Sequence, residues 1–310
     1  MAGEDTRGTG VVAPRTGVIH DIGYQTYEGP RSGRGKIELA LCWHSLRAAF
    51  GFGRGAKAKI VPVLTFAIMC APAVINAVIM ALSRSHTRVV DYDTYVGTLR
   101  VLVLLVFIAA QAPELVSRDL RSRVLPLYFA RPIRRSDYPA AKYAAFVLAC
   151  VAMIDIPVLL LYVGTILQSH GGAAIWAQTR AVFPGLLVGL MWAVVLAAVG
   201  LALACVSGRR AFATGSVAIF LFLTWTLTTV LTKIAAAQVS TASMSSADHL
   251  FGLISPFTVL DGVRQWLGGT SPGIVADPGS YGPAYGLMLL AFLAISLAAL
   301  VRRYSSVSVA

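Results

Sequence analysis

The chain holds 310 residues, 57% of them hydrophobic and only 13% charged, a far more apolar mixture than the core of a soluble domain requires. Its formal net charge of +12 could suit nucleic acid, but the basic residues cluster beside long apolar runs, where they set membrane topology and attract anionic lipid headgroups. Composition therefore excludes a soluble globular protein and a nucleic-acid partner, and points to a polytopic membrane protein.

Residues 1–35 form a polar tail. Residues 1–16, rich in Gly, Thr and Arg, are expected to be disordered, and residues 18–35 interleave Tyr24 and Tyr27 with Gly and Pro as an extended lead-in. The segment 36–59 opens with an amphipathic stretch. Ile37, Leu41, His44 and Ala48 share one face of a helix over 36–50, with Glu38, Ser45 and Arg47 elsewhere. Basic flanks suit this helix to lie in the interfacial plane rather than cross the bilayer. Gly51, Gly53 and Gly55 then make a flexible corner. No phosphate loop exists here: around Gly35-Lys36, Pro30 stands where the first glycine belongs and Ile37 where Ser or Thr would hold magnesium. No cleavable signal peptide is expected, since the first apolar run starts at Ile60 and is too long for one.

Runs nearly free of charge occupy 60–82, 95–112, 143–168, 182–206, 211–232 and 281–301. Each reaches or approaches the roughly 20 residues a helix needs to cross hydrocarbon, so the expected fold is all-α with six spans over 60–301. Of the 26 Lys and Arg residues, 20 lie before the first span, in 113–142, at Arg209-Arg210 and at Arg302-Arg303, all on one side. That bias makes this side cytoplasmic and places both termini there, the second as a short tail over 302–310. Arg100, near the outer end of the second span, can snorkel to the interface.

The loop 113–142 organises the chain, with seven basic and three acidic residues between two apolar spans. Val116, Leu120, Val124, Leu127 and Tyr128 recur at helical spacing, opposite Ser117, Arg118, Arg121 and Ser122. The pattern predicts a short amphipathic helix along the membrane surface, ended near Pro126. Arg131-Pro132 breaks helicity, Ser136-Asp137 can cap the next helix, and Lys142 marks entry into the third span. Charged runs are usually no more than solvated faces. Glu114 and Asp119, set among arginines beside an intact apolar side, favour a shaped docking surface instead.

Further along, Asp155 is the one acid inside an apolar run, two residues before Pro157. An acid near the bilayer centre costs about 2.5–3.5 kcal/mol on insertion scales and usually faces a cavity or a partner. Two readings stand side by side, a group on a translocation pathway and a protonated acid bonded to a neighbouring helix. In the fourth span Gly185, Gly189, Gly200 and Ala204 allow close helix contact. The fifth carries Thr224, Thr228 and Thr232 at four-residue intervals, with Thr226 and Thr229 between; such hydroxyls either bond their own helix or line a pathway. In the external loop 233–281, Phe257, Leu260, Val263, Trp266 and Leu267 make an apolar face closed by Gly268-Gly269, which predicts a re-entrant or interfacial helix. Trp176, Trp192, Trp225 and Trp266 suit aromatic belts. Cys42, Cys70, Cys150 and Cys205 have no metal-ligand spacing and read as small packing residues.

Pro113-Glu114, Asp119, Arg121, Leu125, Arg131-Pro132, Arg135, Tyr138 and Lys142 resemble the cytoplasmic loop of ABC type-2 transporter permeases. In that family a Glu near the end of the second span is followed by an amphipathic coupling helix, an Arg/Ser-Pro turn and a Lys entering the third span. The likeness extends to the six spans, the interfacial helix and the long external loop, where Ser255-Pro256-Phe257 stands at the family's frequent Asn-Pro. The lead-in ending Glu28-Gly29-Pro30-Arg31 is similar to that of some actinobacterial members.

The resemblance implies the type-2 ABC exporter permease fold in a bacterial plasma membrane. Two copies, or one copy and a sister permease, would bind two ATP-binding cassette ATPase subunits. ATP and magnesium would belong to the ATPase, leaving this chain a transporter subunit with no cofactor of its own. Glu114, Arg118, Asp119, Arg121, Leu125, Tyr128, Arg131, Pro132 and Arg135 would couple to the ATPase, while Asp155, Thr224, Thr228 and Thr232 would line the path of an amphiphilic cargo. Two alternatives are a scaffold or sensor subunit that moves nothing and an intramembrane enzyme. Against the enzyme, the chain has no HExxH or GxSxG, and His20, His44, His86, His170 and His249 all lie outside the apolar runs.

Overall fold

The computed structural model describes residues 29, 33–83, 90–95, 97–122, 128, 133–238, 250–268 and 278–305. Among these residues there is no strand, and six helices are long and apolar enough to cross a membrane. The helices are α1 (Arg34–Ala49), α2 (Lys57–Ser83), α3 (Thr98–Arg121), α4 (Asp137–Ile166), α5 (Gly172–Ala204), α6 (Arg210–Gln238), α7 (Pro256–Trp266) and α8 (Gly282–Ser305). A 3-10 turn, Gly279–Tyr281, leads into α8.

The spans divide into a centre and a rim. The most apolar stretches of α3, α4 and α5 are 56–67% buried, whereas those of α2, α6 and α8 are at most 28% buried. Ile60, Leu64, Ile75 and Ile79 on α2, Phe212 and Ile219 on α6, and Leu287 and Ile295 on α8 are exposed. So wide an apolar surface is satisfied only by hydrocarbon or by other spans.

Direction alternates from span to span. Ser117 near the end of α3 donates to the carbonyl of Ala204 at the end of α5 (3.0 Å), and Tyr138 at the start of α4 lies 5.1 Å, ring to ring, from Tyr304 at the end of α8. At the opposite end, Tyr92 bonds Thr165 of α4 at 2.7 Å, and Gln168 donates to Ala77 of α2 at 3.1 Å. The first end also holds Arg54, Lys142, Arg210 and Arg303, and is called the basic end below.

Glycines set the closest approaches inside the centre. A side chain at Gly200 would meet Ile108 of α3, one at Gly189 would meet the carboxylate of Asp155, and one at Gly185 would meet the backbone of Tyr92. The small-residue spacing of the fourth span thus serves packing within the chain. Trp192 is part of this centre, buried and 6.0 Å from the ring of Phe257, rather than part of an aromatic belt.

Two elements depart from the sequence expectation. The second span does not stop at Ala112: α3 continues through Pro113 to Arg121. Val116 and Leu120 therefore belong to the span's own extension and not to a separate surface helix. Its inward face explains this, since Ala112, Leu115, Val116 and Ser117 are fully buried against neighbouring helices, and tertiary packing holds the helix past its proline. The second departure is α1, which lies where expected but is rotated. Leu41, Ser45 and Ala49 are its buried residues, while His44 is exposed. Leu39 and Trp43 point away from the protein at 70% and 60% exposure, giving α1 a second apolar face suited to lipid.

Gly185→Ala should destabilise the protein by about 1–3 kcal/mol, because the new methyl meets backbone that cannot rotate away. Gly215→Ala, with open space around it, should be neutral or stabilising by up to about 1 kcal/mol. Thermal unfolding of both variants in detergent checks the contrast.

Candidate functional site

At the basic end, Glu114 sits two turns before the end of α3 on the side that faces the bundle. Its side chain is only 7% exposed. A lone carboxylate at this depth would be strongly disfavoured, so its survival depends on partners. Arg54, in the corner between α1 and α2, hydrogen-bonds to Oε2 of Glu114 and also donates to the carbonyl of Ala48 (2.6 Å). Arg210, the first residue of α6, brings Nη1 to 2.5 Å from Oε1. One carboxylate thus joins the end of α1, the lead into α2, α3 and α6.

One further turn along α3, Asp119 Oδ2 lies 2.8 Å from Lys142 Nζ and accepts a hydrogen bond from the Tyr138 hydroxyl at 2.5 Å. Both partners come from the first turns of α4, and the Tyr138 ring is flanked by Tyr128 and Tyr304 at 5.4 and 5.1 Å. A third pair ties α1 to α4: Arg34 donates to both oxygens of Asp137 at 2.5 and 2.7 Å. These bonds raise the Arg34 guanidinium above its ordinary pKa. Asp137 also accepts from the backbone N–H of Arg134 at 2.7 Å, so the carboxylate of Asp137 stabilises the start of α4 and the Ser136 hydroxyl makes no cap. A cavity of about 480 Å³ opens between these groups, lined by His44, Arg54, Glu114, Arg118, Asp119, Tyr128 and Lys142 among others.

The predicted coupling residues are therefore only partly gathered. Glu114, Arg118, Asp119 and Tyr128 line one cavity; Arg121 turns to a different hollow beside Arg209 and Arg210. Arg135 is exposed and donates to the carbonyl of Ser305 at 3.2 Å. Leu125, Arg131 and Pro132 lie outside the described residues. Of the predicted coupling residues, Glu114 and Asp119 are engaged by the chain's own cations, whereas Arg118, Arg121 and Arg135, with the neighbouring Ser122, are exposed. Arg54, Arg210 and Lys142, which charge counting treated only as topology markers, complete the network. The available signal was that each precedes or opens a span, where a cation can reach the end of a neighbouring helix.

Within the bilayer region, Asp155 is 9% exposed and packs on Gly189, and its Oδ1 has no hydrogen-bond partner among the described residues. The expected bond to a neighbouring helix is thus not made by this oxygen. Of the threonines on α6, Thr224 and Thr232 donate to Phe220 and Thr228 carbonyls at 2.7 and 2.9 Å, and Thr226 and Thr229 likewise bond one turn back. Thr228 is buried with its hydroxyl unpartnered among the described residues. The stripe is thus mostly consumed by its own helix.

The opposite end holds a second ion network that sequence reading passed over. Helix α7 begins at Pro256, with Ser255 as its cap, and residues 256–264 are all buried. Arg264, 3% exposed, lies 3.0 Å from Asp261 on its own helix and 2.9 Å from Asp93 in the segment before α3. Positive φ at Gly268 (110°) ends the helix as expected.

Glu114→Gln should cost about 3–5 kcal/mol, since it leaves the guanidinium of Arg54, itself 16% exposed, without its counter-charge. Arg210→Gln should cost less than about 1 kcal/mol, because Arg210 is 65% exposed and screened by water. Unfolding in detergent ranks the two. Compared with known proteins, the sequence matches no protein-family model and no curated protein.

Proposed function

We propose that the chain is the membrane-spanning subunit of an ATP-driven exporter of the ABC type-2 class, with ATP hydrolysed by a separate subunit docked at the basic end. The excess of Lys and Arg supports a cytoplasmic position for that end. The observation that carries the reading is the pairing of Glu114 with Arg54 and Arg210 and of Asp119 with Lys142. Through these ion pairs the end of α3 is fixed to the corner before α2, to α4 and to α6. A push on the exposed Arg118, Ser122 and Arg135 would therefore move several spans together, as a rigid element fixed between packed helices must.

In this reading Glu114 and Asp119 transmit movement and do not themselves touch the ATPase. The broad apolar faces of α6 and α8 are available to lipid or to a second permease. Asp155, with an oxygen unpaired inside the bundle, remains the candidate pathway group, and an amphiphilic cargo suits a path with so few polar groups.

Two outcomes test the proposal. Arg118→Glu combined with Arg135→Glu should abolish co-purification with the ATPase, while Arg210→Gln, which costs little stability, should keep the ATPase bound but lower cargo-stimulated hydrolysis. Unchanged binding and stimulation in both variants would remove the proposed coupling. Asp155→Asn should lower export at least several-fold with assembly and melting temperature retained; wild-type export would take Asp155 off the pathway.

A further inference from the structure

A hollow of about 800 Å³ lies beside the Glu114 network, between the end of α3 and the start of α6, lined by Arg121, Arg209, Arg210, Ala211 and Thr214. Arg121 and Arg209 are exposed and form no ion pair among the described residues, and Arg210 gives one guanidinium nitrogen to Glu114. Three guanidiniums against one carboxylate leave the hollow strongly positive. Thr214 lines the same hollow, and a 29-residue helix begins beside it with its positive end. Guanidinium forks match phosphate oxygens in geometry as well as charge.

The surroundings narrow the anion further. Val206, just before the hollow, and Phe212, within the first turn of α6, are 73% and 64% exposed, and Ile219 two turns deeper is 65% exposed. The arginines stand where α6 enters hydrocarbon, and Phe212 and Ile219 lie on the side of α6 turned away from Arg210 and Thr214. At that depth the phosphates at hand are those of anionic lipid headgroups. We propose that this hollow binds the headgroup phosphate of an anionic membrane lipid, held by Arg121 and Arg209, with Arg210 linking the lipid to Glu114. Such a lipid fastens α3 to α6 on the side away from Arg54 and becomes a structural part of the coupling end.

The test is native mass spectrometry of the full chain in detergent, titrated with phosphatidylglycerol or phosphatidylcholine. The wild-type protein should retain phosphatidylglycerol preferentially. Arg121→Gln with Arg209→Gln should weaken that retention roughly thirtyfold, the loss expected of two surface arginines. Arg47→Gln with Arg302→Gln, which removes two exposed charges elsewhere at this end, should leave it unchanged. Three results would each overturn the site: no preference for phosphatidylglycerol in the wild type, equal loss in both double variants, or displacement of the lipid by millimolar inorganic phosphate. The wild-type comparison decides the matter even if a variant fails to fold.

Discussion

A carboxylate buried at the end of a span has to be paired, and Glu114 meets that requirement with two arginines from different parts of the chain. Because Arg54 precedes α2 and Arg210 opens α6, the pairing fixes where both helices begin relative to α3. Asp119 does the same for α4 through Lys142 and Tyr138, and Asp137 for α1 through Arg34. Charge neutralisation at one end thus ties α1, α3, α4 and α6 together beside the apolar core of the bundle.

The two ends are closed by different means. At the basic end the ion pairs are spread over four helices and the corner before α2, beside a cavity. At the opposite end Arg264 is held between Asp261 and Asp93, and the short helix that carries it is itself sunk among the spans. Between the ends, glycine contacts lock α3, α4 and α5 closely together, whereas α2, α6 and α8 expose most of their surface. In the proposed exporter this division separates a stiff centre from rim helices that are free to move against lipid or a second subunit, with the ion pairs linking the two.

Helix α1 shows how one short amphipathic element can serve two surroundings. Leu41, Ser45 and Ala49 contact the bundle, Leu39 and Trp43 face outward, and Arg34 is bonded to Asp137. It lies at the basic end, where Arg54 joins the Ala48 carbonyl to Glu114.

Much of this architecture is legible in the sequence, because hydropathy is a local and additive property. Six apolar runs suffice to predict six spanning helices, the skew of Lys and Arg supplies an expected sidedness, and Ser255-Pro256 with Gly268 brackets α7 closely. What the linear pattern could not supply is which charges meet. Glu114 and Arg54 are 60 residues apart, Asp137 and Arg34 are 103 apart, and Arg264 and Asp93 are 171 apart. For the same reason the sequence could set Glu114 and Asp119 among arginines but could not show that Arg54, Arg210 and Lys142 are the cations that pair with them. Local composition determined how many helices are long and apolar enough to cross a bilayer. Tertiary structure alone decided which charges face one another, because the cost of burying a charge depends on neighbours that only the folded chain brings within reach.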